Sequence, residues 1–301
     1  MNYESPRILL FGHNGQIAWE LRRSLATLGS VVTAGLDGAD HELDLGDGDA
    51  LRRLVHELNP GLMVNAAAYT AVDQAESEPE LARRLNADVV GEMGQLGAAL
   101  NCPVLHYSTD YVFSGKGDRP WKENDEPDPK SVYGKTKLDG ERALLASRAD
   151  CLILRTAWVY GGRGRNFLLS MQRLFREKDS LGVVADQFGA PTWSRLIAEA
   201  TAQLLAQCRT ADGGFSFGEH REEIFHLSAE GQASWFDFAR AILDAGNESC
   251  RLEPLATGEY PTAAVRPAYS VLNNNRLWQV WGIRLPHWRE SLALCLEERD
   301  G

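Results

Sequence analysis

Two side chains four residues apart, Tyr133 and Lys137 in Tyr133-Gly134-Lys135-Thr136-Lys137, define a compact acid-base unit. On a helix, positions i and i+4 share a face. A free phenol titrates near pH 10, and a neighbouring ammonium favours its ionised form and lowers that value. The pair therefore reads as a proton donor and its activator. Taken alone, it also fits an amphipathic helix with an exposed lysine. Thr109, in Ser108-Thr109-Asp110-Tyr111-Val112-Phe113, places a hydroxyl just after an apolar run. Such a group can hydrogen-bond an oxygen whose charge changes during reaction, or simply cap a turn.

A second motif supplies a place for a phosphate-bearing partner. Gly12-His13-Asn14-Gly15-Gln16-Ile17-Ala18 has the spacing GxxGxxA. Gly12 permits a tight turn, Gly15 a close backbone approach to a pyrophosphate, and Ala18 close helix-sheet packing. The first helical residues, Gln16 and Ile17, then offer N–H groups to the phosphates. Asp37 falls where an acidic residue would hold ribose hydroxyls, although a solvated loop aspartate is equally consistent. Arg and Lys are absent between Arg23 and Arg52, so this segment leans towards NADH rather than NADPH. Asp44-Leu45 is a candidate adenine contact. The small side chains of Ala66, Ala67 and Ala68 leave room for a cofactor backbone, or pack tightly.

These motifs need a scaffold, and the hydrophobic pattern provides one. Apolar runs at 7–11, 30–36, 62–64, 103–107 and 151–154 predict strands. Between them, 15–28, 47–58, 77 to about 100 and 131–145 predict helices. Ser77-Glu78-Pro79-Glu80 has capping-box form with proline in the first turn. Strict strand-helix alternation predicts a doubly wound parallel Rossmann sheet, with ligands beyond the carboxyl ends of the strands. After Asp186 the texture becomes mixed, with helices at 194–208 and 235–245, a Gly-rich charged loop at 210–223, and scattered prolines. The expected division is a dinucleotide-binding domain at 1–185 and a smaller substrate lobe at 186–301. Late strands are free to return to the main sheet.

Composition excludes several classes. The 301 residues carry 31 basic and 42 acidic side chains, a net charge of −11, which argues against a broad nucleic-acid surface. The five cysteines form no CxxC pair, and reduced, buried thiols in a cytoplasmic protein are expected. The N-terminus has no signal-peptide profile, and no apolar run is long enough to span a bilayer.

The motifs occur in a telling order: the 12–18 turn, then 65–73, 75–80, 106–113, 132–137, 155–160, 186–192 and Arg266-Pro267. In that order the chain resembles the dTDP-4-dehydrorhamnose reductases, extended members of the short-chain dehydrogenase/reductase superfamily. The resemblance implies hydride transfer from NAD(P)H to C4 of dTDP-4-dehydro-β-L-rhamnose, the last step of dTDP-L-rhamnose synthesis. It implies Tyr133 as proton donor, Lys137 on the nicotinamide ribose, and Thr109 and Asp110 on the sugar. Trp158 would give the sugar an apolar face. Arg266 would pair with the diphosphate or serve as a structural salt bridge. NADPH is the family's usual cofactor. Some members bridge a homodimer with magnesium held by glutamates. Glu20 matches one such position, but Arg195 and Arg289 stand where other acidic ligands would be, which argues against that metal site and leaves a homodimer open. Two other readings keep the same fold: a non-catalytic regulatory subunit, and a reductase or epimerase of another nucleotide sugar. An intact Thr109, Tyr133 and Lys137 set speaks against the first, and the 186–192 and Trp158 segments against the second.

Overall fold

The computed structural model describes residues 5–300. Seven strands form one sheet: β1 (Arg7–Phe11), β2 (Ser30–Gly35), β3 (His41–Glu42), β4 (Leu62–Asn65), β5 (Val104–Thr109), β6 (Cys151–Thr156) and β7 (Glu223–His226). Their spatial order is β7-β6-β5-β4-β1-β2-β3, and every pairing is parallel. β4, β5 and β6 are buried along their whole length, as strands covered on both faces must be. The period of two sorts their side chains between two cores. Ile8, Leu10, Leu62, Val64, Leu105 and Leu152 pack on one face, and Leu9, Phe11, Met63, Val104 and Ile153 on the other.

Four helices connect these strands: α1 (Gln16–Ser24), α2 (Gly48–Leu58), α3 (Val89–Leu100) and α4 (Val132–Ala146). α2 starts where Asp47 accepts the N–H groups of Asp49 and Ala50, each at 3.0 Å. α4 starts where Ser131 Oγ accepts the Gly134 N–H at 3.1 Å. The helical run beginning at Pro79 reaches Leu100 through a π turn at Arg84–Asp88. The capping box expected at Ser77 does not form. Glu78 occupies the cap position without a side-chain bond, and the Ser77 hydroxyl donates to the Gln74 carbonyl at 2.9 Å.

The second half adds α5 (Phe167–Glu177), α6 (Ser194–Gln207), α7 (Trp235–Asp244), α8 (Asn275–Trp281) and α9 (Trp288–Asp300). A separate core joins Tyr160, Leu168, Phe175 and Val183 to Phe238, Ile242, Leu252 and Trp288. Residues before 186 thus share this lobe's interior, while β7 from the second half completes the main sheet. Neither β7 nor α5 was apparent in the sequence. β7 is four residues long and follows a charged loop, too short a stretch for periodicity to register. None of the described helices is long and apolar enough to cross a membrane.

Candidate active site

The strand order reverses direction between β1 and β4, the point at which sheets of this kind form a binding cleft beyond the carboxyl ends of the strands. Register aligns the ends: Phe11 lies beside Asn65, Asn65 beside His106, and Thr109 beside Thr156. The loops after β1, β4, β5 and β6 therefore share one edge of the sheet.

The glycine turn forms the first wall. Gly12 has φ +100, a backbone state that favours glycine, and a Cβ there would lie 3.3 Å from the Ala18 methyl. Gly15 caps α1, and a Cβ on it would meet only the Ala66 carbonyl, at 3.9 Å. The protein's own packing does not demand glycine at 15; the open space outside its backbone fits a close-approaching pyrophosphate. Gln16 opens α1, while Ile17 packs against the inner core. Ala66, Ala67 and Ala68 are half-buried opposite, with the Ala66 N–H donating to the Phe11 carbonyl at 3.0 Å. Asp37 is exposed just after β2, its carbonyl held by the Asn14 side chain at 3.1 Å. Asp44 is exposed and accepts the Gly46 N–H at 2.8 Å, and Leu45 leans on the outer core.

The second wall is the β5 end with α4. Gly134, inside the Tyr133-to-Lys137 motif, lets α4 approach the 110–112 turn: a Cβ there would lie 2.3 Å from the Tyr111 carbonyl oxygen. This contact brings Tyr133 to Thr109. The Thr109 hydroxyl donates to Asp110 Oδ1 at 3.0 Å and accepts the Tyr111 N–H at 3.2 Å. Desolvation raises the Tyr133 phenol above its ordinary value, and a hydrogen bond with Thr109 opposes that rise. Tyr133 is thus a protonated acid at neutral pH. Asp110 is 2% exposed, and its Oδ2 has no hydrogen-bond partner among the described residues. Burial pushes its carboxyl up to about 6; Ser270 lies close enough to pull it down, although the Ser270 hydroxyl is aimed at the Phe188 carbonyl, 3.4 Å away. Ser108 Oγ and Thr156 Oγ1 are likewise buried without a partner among the described residues. Unpartnered buried polar atoms at one strand edge suit a polar ligand.

Lys137 occupies the expected helix face but not the expected contact. Its Nζ donates to the Tyr107 carbonyl at 2.6 Å and lies 3.2 Å from His106 Nε2. The Lys137 amino group therefore engages β5 rather than the Tyr133 phenol. Burial lowers Lys137 to about 8, with Glu141 opposing.

Comparison with known proteins gives the family of the chain. The family model described as the RmlD substrate binding domain matches residues 6–300. The dTDP-4-dehydrorhamnose reductase of Burkholderia thailandensis is 43% identical over 302 residues, covering 97% of this chain and 98% of that protein. The solved dTDP-4-dehydrorhamnose reductase of Clostridium acetobutylicum superposes with TM-score 0.88 at 33% identity, covering 98% of this chain and all of that one. The Bacillus anthracis dTDP-4-dehydrorhamnose reductase, solved in complex with NADP, gives TM-score 0.88 at 30% identity, covering 98% and 99%. The chain belongs to the RmlD family.

In this RmlD-family chain the lobe residues reach the cleft in ways the sequence did not indicate. Trp158 has φ +47, a strained conformation for a bulky side chain and one that tends to occur at functional sites. Its ring stacks on Trp235 with centroids 3.5 Å apart and planes 2° from parallel, so one face is already covered. Arg266 donates to the Tyr111 hydroxyl at 3.2 Å and pairs with Asp73, whose other oxygen accepts the Ala264 N–H at 3.0 Å. Its guanidinium is thus committed to tying the 264–266 loop to the cleft. The segment after β6 also folds back on the glycine turn: Asn166 Nδ2 donates to Gln16 Oε1 at 3.0 Å, and Arg163 lies 3.3 Å over the Trp19 ring. A basic group therefore comes near the start of α1 from 163, not from the segment after β2.

On the α1–α6 surface, Arg195 pairs with Glu298 and lies 3.9 Å from Glu20 and 3.6 Å from Glu199. Among the described residues no group of three His, Cys, Asp or Glu side chains converges as metal ligands. Three residues near the cleft had no sequence signal: His106, Trp235 and Asn166. Each is a single residue placed only by long-range contact.

Proposed function

We propose that this chain reduces the C4 keto group of dTDP-4-dehydro-β-L-rhamnose with NAD(P)H, giving dTDP-L-rhamnose. The observation that carries the reading is the convergence of Tyr133, Thr109 and Asp110 at the β5 end, beside a glycine turn with room for a pyrophosphate. When bound, the dihydronicotinamide supplies the hydride. Gln16 and Ile17 would hold the phosphates, Asp37 the adenine-side ribose, Asp44 and Leu45 the adenine, and Ala66 to Ala68 would leave space for the backbone of the cofactor.

Tyr133 acts as the proton donor to the oxygen formed at C4, its phenol already protonated in the desolvated pocket. Thr109 steadies that oxygen through the same hydrogen-bonding position. Asp110 Oδ2 is an acceptor in want of a donor, which a sugar hydroxyl supplies. Lys137 turns to the nicotinamide ribose when the cofactor binds. Trp158, its ring stacked on Trp235 and closely approached by Gly189, gives apolar contact to the deoxysugar, and Arg266 orders the 264–266 loop beside the diphosphate.

Residues 1–185 form the cofactor half and 186–301 the substrate half, exchanging β7 in one direction and the 160–184 segment in the other. The five cysteines are buried and form no disulfide among the described residues, which suits the reducing cytoplasm as the place of action. The test is spectrophotometric: oxidation of NADPH and NADH is followed with dTDP-4-dehydrorhamnose and with UDP-linked 4-ketosugars at matched concentration. Faster turnover of the dTDP substrate is expected. Equal rates across the panel defeat the substrate assignment.

A further inference from the structure

Under the cleft, a chain of buried polar side chains crosses the sheet face covered by α4. Asn65 Oδ1 accepts the Ala67 N–H at 3.1 Å, and Asn65 Nδ2 lies 3.1 Å from His106 Nδ1. His106 Nε2 lies 3.2 Å from Lys137 Nζ, which donates to the Tyr107 carbonyl. Asn65, His106 and Lys137 are 1%, 0% and 2% exposed. At that burial, donors and acceptors must match within the chain.

Only one assignment matches them. The Ala67 N–H requires the Asn65 oxygen, which leaves the amide nitrogen facing His106 and makes Nδ1 an acceptor. A neutral imidazole has one N–H, so its proton sits on Nε2, aimed at Lys137. An ammonium has three donors and no lone pair, and would oppose that N–H donor to donor. An uncharged amine accepts the Nε2–H and still donates to Tyr107.

We propose that His106 is a positioning residue for Lys137: before cofactor binds, it holds the lysine as an uncharged amine, retracted on the Tyr107 carbonyl, and cofactor binding draws Lys137 out and loads it with one proton from solvent. The proposal rests on the reading of Lys137 as the ribose ligand. No other bond is made or broken. The charged group facing Lys137 from its own helix is Glu141, whose oxygens are both engaged by Arg155 of β6, at 2.8 and 2.6 Å. From β5 and β4, among the described residues, it faces His106, the Tyr107 carbonyl and, beyond His106, Asn65. The direction of both titrations agrees: burial lowers Lys137 to about 8, towards the amine, and burial holds His106 well below its ordinary value, as a neutral ring.

Two measurements test this. The first is the ring nitrogen spectrum of the cofactor-free protein at pH 9, above the value to which burial lowers Lys137, with His106 assigned by its loss in His106→Gln. An Nε2–H tautomer is expected; an Nδ1–H tautomer or a doubly protonated ring overturns the proposal. The second is calorimetry of NADPH binding in buffers of differing ionisation enthalpy. Net uptake should rise towards about one proton per site as pH passes 8. His106→Gln, which can accept from Asn65 and donate to the amine, should keep that profile. His106→Leu should move it to higher pH by up to about 1 unit, because the hydrogen bond favouring the amine is gone. Proton-neutral binding throughout, or an unshifted His106→Leu profile, overturns the proposal. A protein that bound no NADPH would defeat the cofactor reading instead, and the tautomer would still decide the resting state.

Discussion

Replacing Asp110 with asparagine should stabilise the protein at neutral pH while damaging the enzyme. Asp110 is 2% exposed, with Oδ2 unpartnered among the described residues, and its carboxyl is pushed up to about 6 from an ordinary 3.8. A raised acid binds more protons folded than unfolded, so its contribution is fully present below the unfolded value and is lost as pH rises through the folded one. The loss spans roughly pH 4 to 7, and at 1.36 kcal/mol per pH unit it amounts to about 3 kcal/mol. Asparagine keeps the shape and does not titrate. The stability of Asp110→Asn minus that of the native chain should therefore climb by about 3 kcal/mol between about pH 4 and pH 7, a large part of an ordinary folding free energy. Urea unfolding of both proteins at half-unit pH steps measures the difference directly, and groups common to both cancel. Turnover should fall in the variant, because a charged acceptor for a sugar hydroxyl is gone. A difference curve flat to within about 0.5 kcal/mol, or one that descends with pH, would refute the claim that Asp110 is strained by burial.

Three further perturbations follow from the same geometry. Tyr133→Phe should fold normally, by circular dichroism and unfolding, and lose about 10²- to 10⁴-fold in kcat; near-native turnover would remove Tyr133 as proton donor. Gly134→Ala should lower both stability and kcat, because a Cβ would sit 2.3 Å from the Tyr111 carbonyl oxygen and push α4 off the β5 end; a fully active, equally stable variant would contradict that contact. Glu141→Gln should cost about 3–5 kcal/mol in urea unfolding, since it leaves the buried Arg155 guanidinium without its counter-charge, whereas replacing both partners with apolar residues should recover much of the loss.

The sequence by itself determined the architecture of the first half and the placing of Tyr133 and Lys137 on one helix face, because both are written in local pattern. The glycine spacing at 12–18, the buried strand runs and the Tyr133–Lys137 interval each lie within one element or one turn, where the period of helix or strand places side chains without help from elsewhere. Tertiary structure decided what the groups touch. Lys137 lies one helical turn from Tyr133, as its spacing dictates, yet its Nζ rests on His106 and the Tyr107 carbonyl, brought there by strand register. Arg266 is spent on Asp73, far away in sequence, and Trp158 on Trp235. β7 joins the sheet only because a long excursion through the second lobe returns beside β6. Local periodicity carries no record of such pairings: they depend on loop closure and packing of distant segments, and these are settled only when the whole chain has found its core.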